Sequence, residues 1–256
     1  MGWKHHALNS ANLIMRSGLV FNQKLPSYYH GYWLWLYKKC WASVYLGYEP
    51  YMAEAIKANL PRGGSFWDVG ANVGLYSLLA AKIVGGNGNV AAFEPSPEVF
   101  SLLRANTEGN KLVRIFPYGV GNTDGEMTFA AQGTGSSSSF IEEVTELNRG
   151  NNLGQEIRSV SVTVRKIDTL LEKLSPPSLL KIDVEGFELE VLKGAARLLT
   201  EVRPAMVIEV HPPQLEMSGG SDDRLLGILA EYSYNWQVID RNPNSLYTIV
   251  AKPQSR

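Results

Sequence analysis

From Phe66 onward the chain alternates short, nearly continuous apolar runs with helix-periodic segments, and few folds accept that pattern. SFWDVG is a strand and LYSLLAAKIV a helix. NVAAFEP is the next strand, and SPEVFSLLRANTEGN a helix with Ser96 at its N-cap and Pro97 in its first turn. VRIFPYGVG, SLLKIDVEG and AMVIEV read as further strands, and FELEVLKGAARLLTEV and DDRLLGILAEY as further helices. Strands that are apolar throughout are buried on both faces. The pattern therefore predicts an α/β, doubly wound, Rossmann-like and mostly parallel sheet. The last two strands, WQVID and LYTIVAK, are joined by the turn-rich RNPNS, so the final strand should run antiparallel.

Two regions depart from the alternation. Residues 1–48 are dense in Tyr and Trp and are expected to form a helical extension. That extension would pack on the domain at 49–256 or on a second copy in a homo-oligomer; an aromatic wall over a site and an interfacial membrane contact are the alternatives. Residues 125–168 carry two strand-like pieces, EMTFAAQ and SVSVTVRKI, around a Gly/Ser/Asn-rich excursion. An excursion of that length is expected to be a lid, with the 135–139 run closing the site, or a floppy tip.

Composition narrows the partners. With 24 basic and 25 acidic residues the formal net charge is -1, which does not favour nucleic acid. Cys40 is the single cysteine, expected to be a packing residue, so a reducing compartment is the default. No apolar run has the length of a membrane span, and the first residues lack a secretory pattern. A cytoplasmic protein without stable membrane insertion is expected.

The loop after the first strand, Gly70-Ala71-Asn72-Val73-Gly74, resembles a dinucleotide cradle but lacks the middle glycine. Asn72 would crowd a pyrophosphate at that place. Asp68, just before the loop, would pair with an ammonium group. Glu94, ending the second strand, would accept hydrogen bonds from a ribose diol. A ligand with a ribose, an ammonium and no pyrophosphate is S-adenosyl-L-methionine. Gly121 and Asn122, at the end of the third strand, either make room for its adenine or form a simple turn.

The string YEPYMAEAI, FWDVGANVGLYS, AFEPSPEVFSLLRAN, GVGN, LLKIDVEGFELEVLKGA, VIEVHP resembles the FkbM-type methyltransferases over about residues 46–215. KIDVEGFELEVLKGA is its most particular element. The resemblance implies a seven-stranded class I sheet with an antiparallel last strand. It also implies S-adenosyl-L-methionine as cofactor, and a hydroxyl on a sugar, glycolipid or natural product as acceptor. It places Glu49 near the methionine end of the cofactor or near the acceptor. The expected cofactor set is then Glu49, Asp68, Gly70, Asn72, Gly74, Glu94 with the adjoining Pro95, Gly121, Asn122 and Asp183.

Methylating an alcohol calls for a base. The candidates are Asp183 and Glu185, in line on one face if their strand runs through Gly186, and His211 after the fifth strand. Glu185 has a second reading, as a cap for the helix from Phe187. Lys181 is expected to pair with an inward acid. Asp183, Glu209 and His211 together are a conceivable cation site, but their spacing is not diagnostic and no metal is expected. An N-methyltransferase of the same fold, an NAD-dependent oxidoreductase or epimerase, a non-catalytic binding module and an RNA-modifying enzyme are the competing classes.

Overall fold

The computed structural model describes residues 24–37, 50–131, 139–140, 157–241 and 246–255. Glu49, Cys40 and residues 135–138 of the expected lid lie outside these. The chain forms two compact units, Met1–Pro50 and Tyr51–Arg256.

In the first unit, Lys24–Tyr29 (β1) and Tyr32–Tyr37 (β2) pair antiparallel, Tyr29 opposite Tyr32. This corrects the expected helix. Leu34 and Leu36 are buried while Trp33 and Trp35 are exposed, a period of two that belongs to a strand. The turn is His30-Gly31, at φ 46° and 95°, and positive φ at both central residues is the requirement of the tight hairpin turn.

The second unit begins with α1 (Pro50–Asn59) and is built on a seven-stranded sheet. Its strands are β3 (Ser65–Val69), β4 (Asn89–Phe93), β5 (Val113–Phe116), β9 (Leu179–Ile182), β10 (Ala205–Val210), β11 (Tyr234–Arg241) and β12 (Tyr247–Pro253). The order is β11-β12-β10-β9-β3-β4-β5. β10, β9, β3, β4 and β5 are mutually parallel, and β12 runs antiparallel between β10 and β11. The class I sheet with its antiparallel last strand is therefore present. Strand order reverses between β3 and β9, and their carboxyl ends meet there, Val69 beside Ile182.

Alternation sorts the two faces. Trp67, Val69, Leu180, Ile182, Met206, Ile208 and Val210 fill one core with helices α5 (Glu188–Lys193) and α7 (Asp222–Glu231). Burying each of the larger side chains stabilises the fold by about 1.5–3 kcal/mol. The other face carries Asp68 and Lys181, side by side in the ladder. Helix α2 (Leu75–Val84) reaches this face through Ser77, whose hydroxyl bonds Asp68, and is buried almost throughout, which explains its mostly apolar sequence.

The expected third strand is two strands. Pro117 cannot donate to a ladder, and the chain leaves the main sheet there. Tyr118–Val120 (β6) joins a three-stranded sheet, β6-β8-β7, with Arg158–Arg165 (β8) and Gly125–Ala131 (β7). The two strand-like pieces of the 125–168 region are thus paired with each other. Among the described residues no helix is long and apolar enough to cross a membrane.

Candidate active site

The loop after β3 is shaped by its neighbours on both sides. The amides of Gly70 and Ala71 both donate to the Phe93 carbonyl, at 3.1 and 2.9 Å. Gly70 sits at φ 77°, and a Cβ there would overlap the Asp183 carbonyl oxygen, so the two strand ends touch backbone to backbone. Gly74 closes the turn by donating to the Ala71 carbonyl at 2.9 Å. Asn72 lies at φ 50°, a conformation Asn tolerates, and its Oδ1 accepts the Val73 amide at 2.7 Å. Its side chain therefore shapes the turn itself. Asn106, from helix α3 (Pro97–Thr107), holds the Val73 carbonyl at 2.7 Å.

Glu94 ends β4 and reaches this loop. Its Oε2 accepts the Asn72 amide at 3.0 Å, and its Oε1 accepts the Ser96 amide at 2.9 Å. Pro95, half-buried, lies in the turn so closed. Burial pushes the Glu94 carboxyl up to about 7, against the opposing pull of the two amides and of the Lys181 charge. Each carboxylate oxygen keeps a second lone pair, so Glu94 retains acceptor capacity.

Asp68 does not wait for a ligand's ammonium. It is fully buried, takes the Ser77 hydroxyl on Oδ2 at 2.6 Å, and has Lys181 Nζ 3.1 Å from Oδ1. The Oδ1 contact lacks hydrogen-bond alignment and acts as an ion pair. Lys181 also donates to the Gly70 carbonyl at 2.8 Å and lies 3.3 Å from Asp183 Oδ2. The lysine has the inward partner expected of it, and that partner is Asp68, the acid also expected to serve the cofactor.

Asp183 follows β9 and donates its amide to the Val69 carbonyl at 3.1 Å. The strand stops at Ile182 rather than running through Gly186, because Glu185 and Gly186 both take positive φ. Strand alternation therefore does not relate Asp183 to Glu185. Glu185 sits two residues before Phe187, the N-cap of the following helix. Its carboxylate turns to His211, with Oε2 3.8 Å from Nε2.

Sequence reasoning missed Glu188. In an amphipathic helix pattern its carboxylate reads as solvent-facing, yet it is fully buried. Its Oε1 accepts the Gly186 amide at 3.0 Å and lies 2.7 Å from His211 Nδ1. Burial works against a charged His211, but Glu188, then Glu185 and Asp183, outweigh it and hold the imidazole well above its usual range. Asp183, Glu209 and His211 do converge, with one donor atom of each within 4.8 Å of the others. Ser139 is buried beside them and donates to the Glu185 carbonyl at 3.0 Å.

Gly121 and Asn122 lie elsewhere. They follow β6, not a strand of the main sheet. Gly121 donates to the Arg165 carbonyl at 3.1 Å, and a Cβ on Gly194 would overlap the Gly121 carbonyl oxygen. A Cβ on Gly121 would also meet the Phe187 ring, close to the Glu185–Gly186 turn. A groove of about 470 Å³ between α1 and β11–β12, lined by Tyr51 and Trp236 among others, includes none of the expected site residues.

The methyltransferase FkbM domain matches residues 68–235, more than half of the chain. The chain belongs to the FkbM methyltransferase family. The family's span takes in Asp68, Glu94, Asp183, Glu188 and His211. Hexuronic acid methyltransferase AglP of Haloferax volcanii is 32% identical over 155 residues, covering 57% of this chain and 55% of that protein. Methyltransferase sdnD of Sordaria araneosa is 30% identical over 181 residues, covering 61% and 70%. The chain spans little more than half of the AglP length it matches. Fibrillarin of Aeropyrum pernix, crystallised with natively bound S-adenosyl-L-methionine, shares the fold: TM-score 0.50, 11% identity, 92% of this chain and 85% of that one.

Proposed function

We propose that this FkbM-family domain transfers the methyl group of S-adenosyl-L-methionine to a hydroxyl of a sugar, glycolipid or natural product. The observation that carries this is Glu94, whose buried carboxylate ends β4 and is tied to the Asn72 amide of the β3 loop. A carboxylate so placed accepts the two hydroxyls of a ribose. The reversal of strand order beside it is where ligands lie in such sheets.

Relatives support the acceptor class. AglP is named a hexuronic acid methyltransferase, and FkbM of Streptomyces tacrolimicus, 29% identical over 174 residues, a 31-O-demethyl-FK506 methyltransferase. The near-neutral charge supports a small acceptor over nucleic acid, and the lone cysteine supports the cytoplasm.

In the transfer, the acceptor oxygen forms a bond to the methyl carbon as the carbon–sulfur bond breaks in line, leaving a thioether. The sulfonium charge vanishes on the way, so holding the acceptor in line contributes more than gripping the cation. The hydroxyl proton leaves to a carboxylate of the cluster, Asp183 or Glu185, beside the His211 imidazole that Glu188 orients through Nδ1. The test is incubation with methyl-labelled S-adenosyl-L-methionine and a panel of uronic acids, neutral sugars and amino sugars. Label in an ether linkage supports the reading. Label only on nitrogen overturns it.

A further inference from the structure

We propose that Asp183, Glu209 and His211 bind one divalent cation of the manganese or magnesium class. Their donor atoms lie within 4.8 Å of one another. Ligands facing each other across an ion at about 2.1 Å stand about 4.2 Å apart, so small side-chain movements suffice. The placement is built into the sheet. Asp183 follows β9 and Glu209 belongs to β10, and the parallel register Ile182–Ile208 sets those two strand ends side by side. His211 comes next after β10, buried, while Asp183 and Glu209 are half-buried.

The imidazole is held as metal-binding imidazoles are. A carboxylate outside the trio, Glu188, takes Nδ1 at 2.7 Å and leaves Nε2, 3.8 Å from Glu185 Oε2, as the nitrogen for an ion. Glu188 is itself pinned by the Gly186 amide. The charges point the same way. Four carboxylates, Asp183, Glu185, Glu188 and Glu209, gather about one imidazole, and the nearby ammonium of Lys181 is shared with Asp68 and the Gly70 carbonyl. Two carboxylates with one imidazole suit manganese or magnesium better than metals preferring sulfur. The purpose of the ion rests on the proposed function. It would hold the acceptor hydroxyl and lower its pKa, while Glu185, outside the trio, takes the proton.

The full chain, stripped with chelator and dialysed, is titrated with Mn²⁺ by electron paramagnetic resonance and calorimetry, with S-adenosylhomocysteine titrated in parallel. A single Mn²⁺ per chain is expected. Glu209→Gln and His211→Gln should each weaken it at least about tenfold, as should Glu188→Gln through the imidazole it positions. Circular dichroism checks that each variant folds. No Mn²⁺ uptake by the folded wild type, or uptake unchanged in the folded Glu209→Gln and His211→Gln variants, overturns the site. Mn²⁺ binding without S-adenosylhomocysteine binding overturns the methyltransferase reading and leaves the ion site standing. The reverse result does the opposite.

Discussion

Lys181 Nζ lies 3.1 Å from Asp68 Oδ1, and both side chains are almost wholly removed from solvent. Each belongs to one of the two strands that flank the reversal of strand order, and the same ammonium holds the Gly70 carbonyl. The acid expected to serve the cofactor and the lysine expected to find an inward acid thus form a strut beneath the loop.

Removing one partner of such a pair leaves a buried charge, which costs about 3–5 kcal/mol. Asp68→Leu alone is therefore expected to lower the unfolding free energy by that order. Asp68→Leu with Lys181→Met should cost less than the sum of the two single changes. Urea unfolding of the four proteins of the cycle measures this, and strict additivity would mean the residues do not interact.

Glu94 makes cofactor affinity depend on pH. Its carboxyl titrates at about 7 in the fold, against 4.5 when exposed. Between those values the folded chain keeps a proton that the unfolded chain has lost, so stability falls as pH rises through this window, by about 3 kcal/mol in all. Ribose hydroxyls favour the ionised carboxylate. Affinity for S-adenosylhomocysteine should therefore rise about fivefold from about pH 6 to pH 7, reach about tenfold by about pH 8 and level off above. Glu94→Gln should flatten the profile, and a slope that persists in the variant would assign it to another group.

Gly70→Ala should be costly despite its small size. The residue needs φ 77°, and the added methyl would meet the Asp183 carbonyl. A loss of at least about 1–3 kcal/mol is expected from the backbone alone. Thermal melting reads it, and an unchanged midpoint would show that the β3 and β9 ends do not meet as described.

Much of this molecule is legible in its residues because its strands are buried on both faces and its helices are periodic. The order of elements and the antiparallel last strand follow from the pattern and the short RNPNS turn. Pro117 was visible but read through, since VRIF and YGV are both strand-like and only the missing donor separates them. The 24–37 hairpin hid because Trp, Tyr and Leu are all apolar, so its period of two shows in burial and not in hydropathy. At the site, Glu94, Asp183 and His211 stood out by lying at strand ends. Glu188 did not, because one turn of helix separates an exposed acid from one buried against an imidazole. Asp68 stood out in the same way, but not as the acid that Lys181 would meet. The ladder register that brings Lys181 to it is a long-range fact, with no local sequence signal.

The central claim is that the β3 loop and Glu94 hold the ribose of S-adenosyl-L-methionine. Calorimetric titration of the full chain with S-adenosyl-L-methionine, S-adenosylhomocysteine and NAD, repeated on Glu94→Ala, tests it most directly. The account predicts micromolar binding of the first two, about -8 kcal/mol, none of NAD, and a loss of at least about tenfold in the variant. Binding of NAD alone, or equal affinity of the wild type and the variant for S-adenosylhomocysteine, would contradict it.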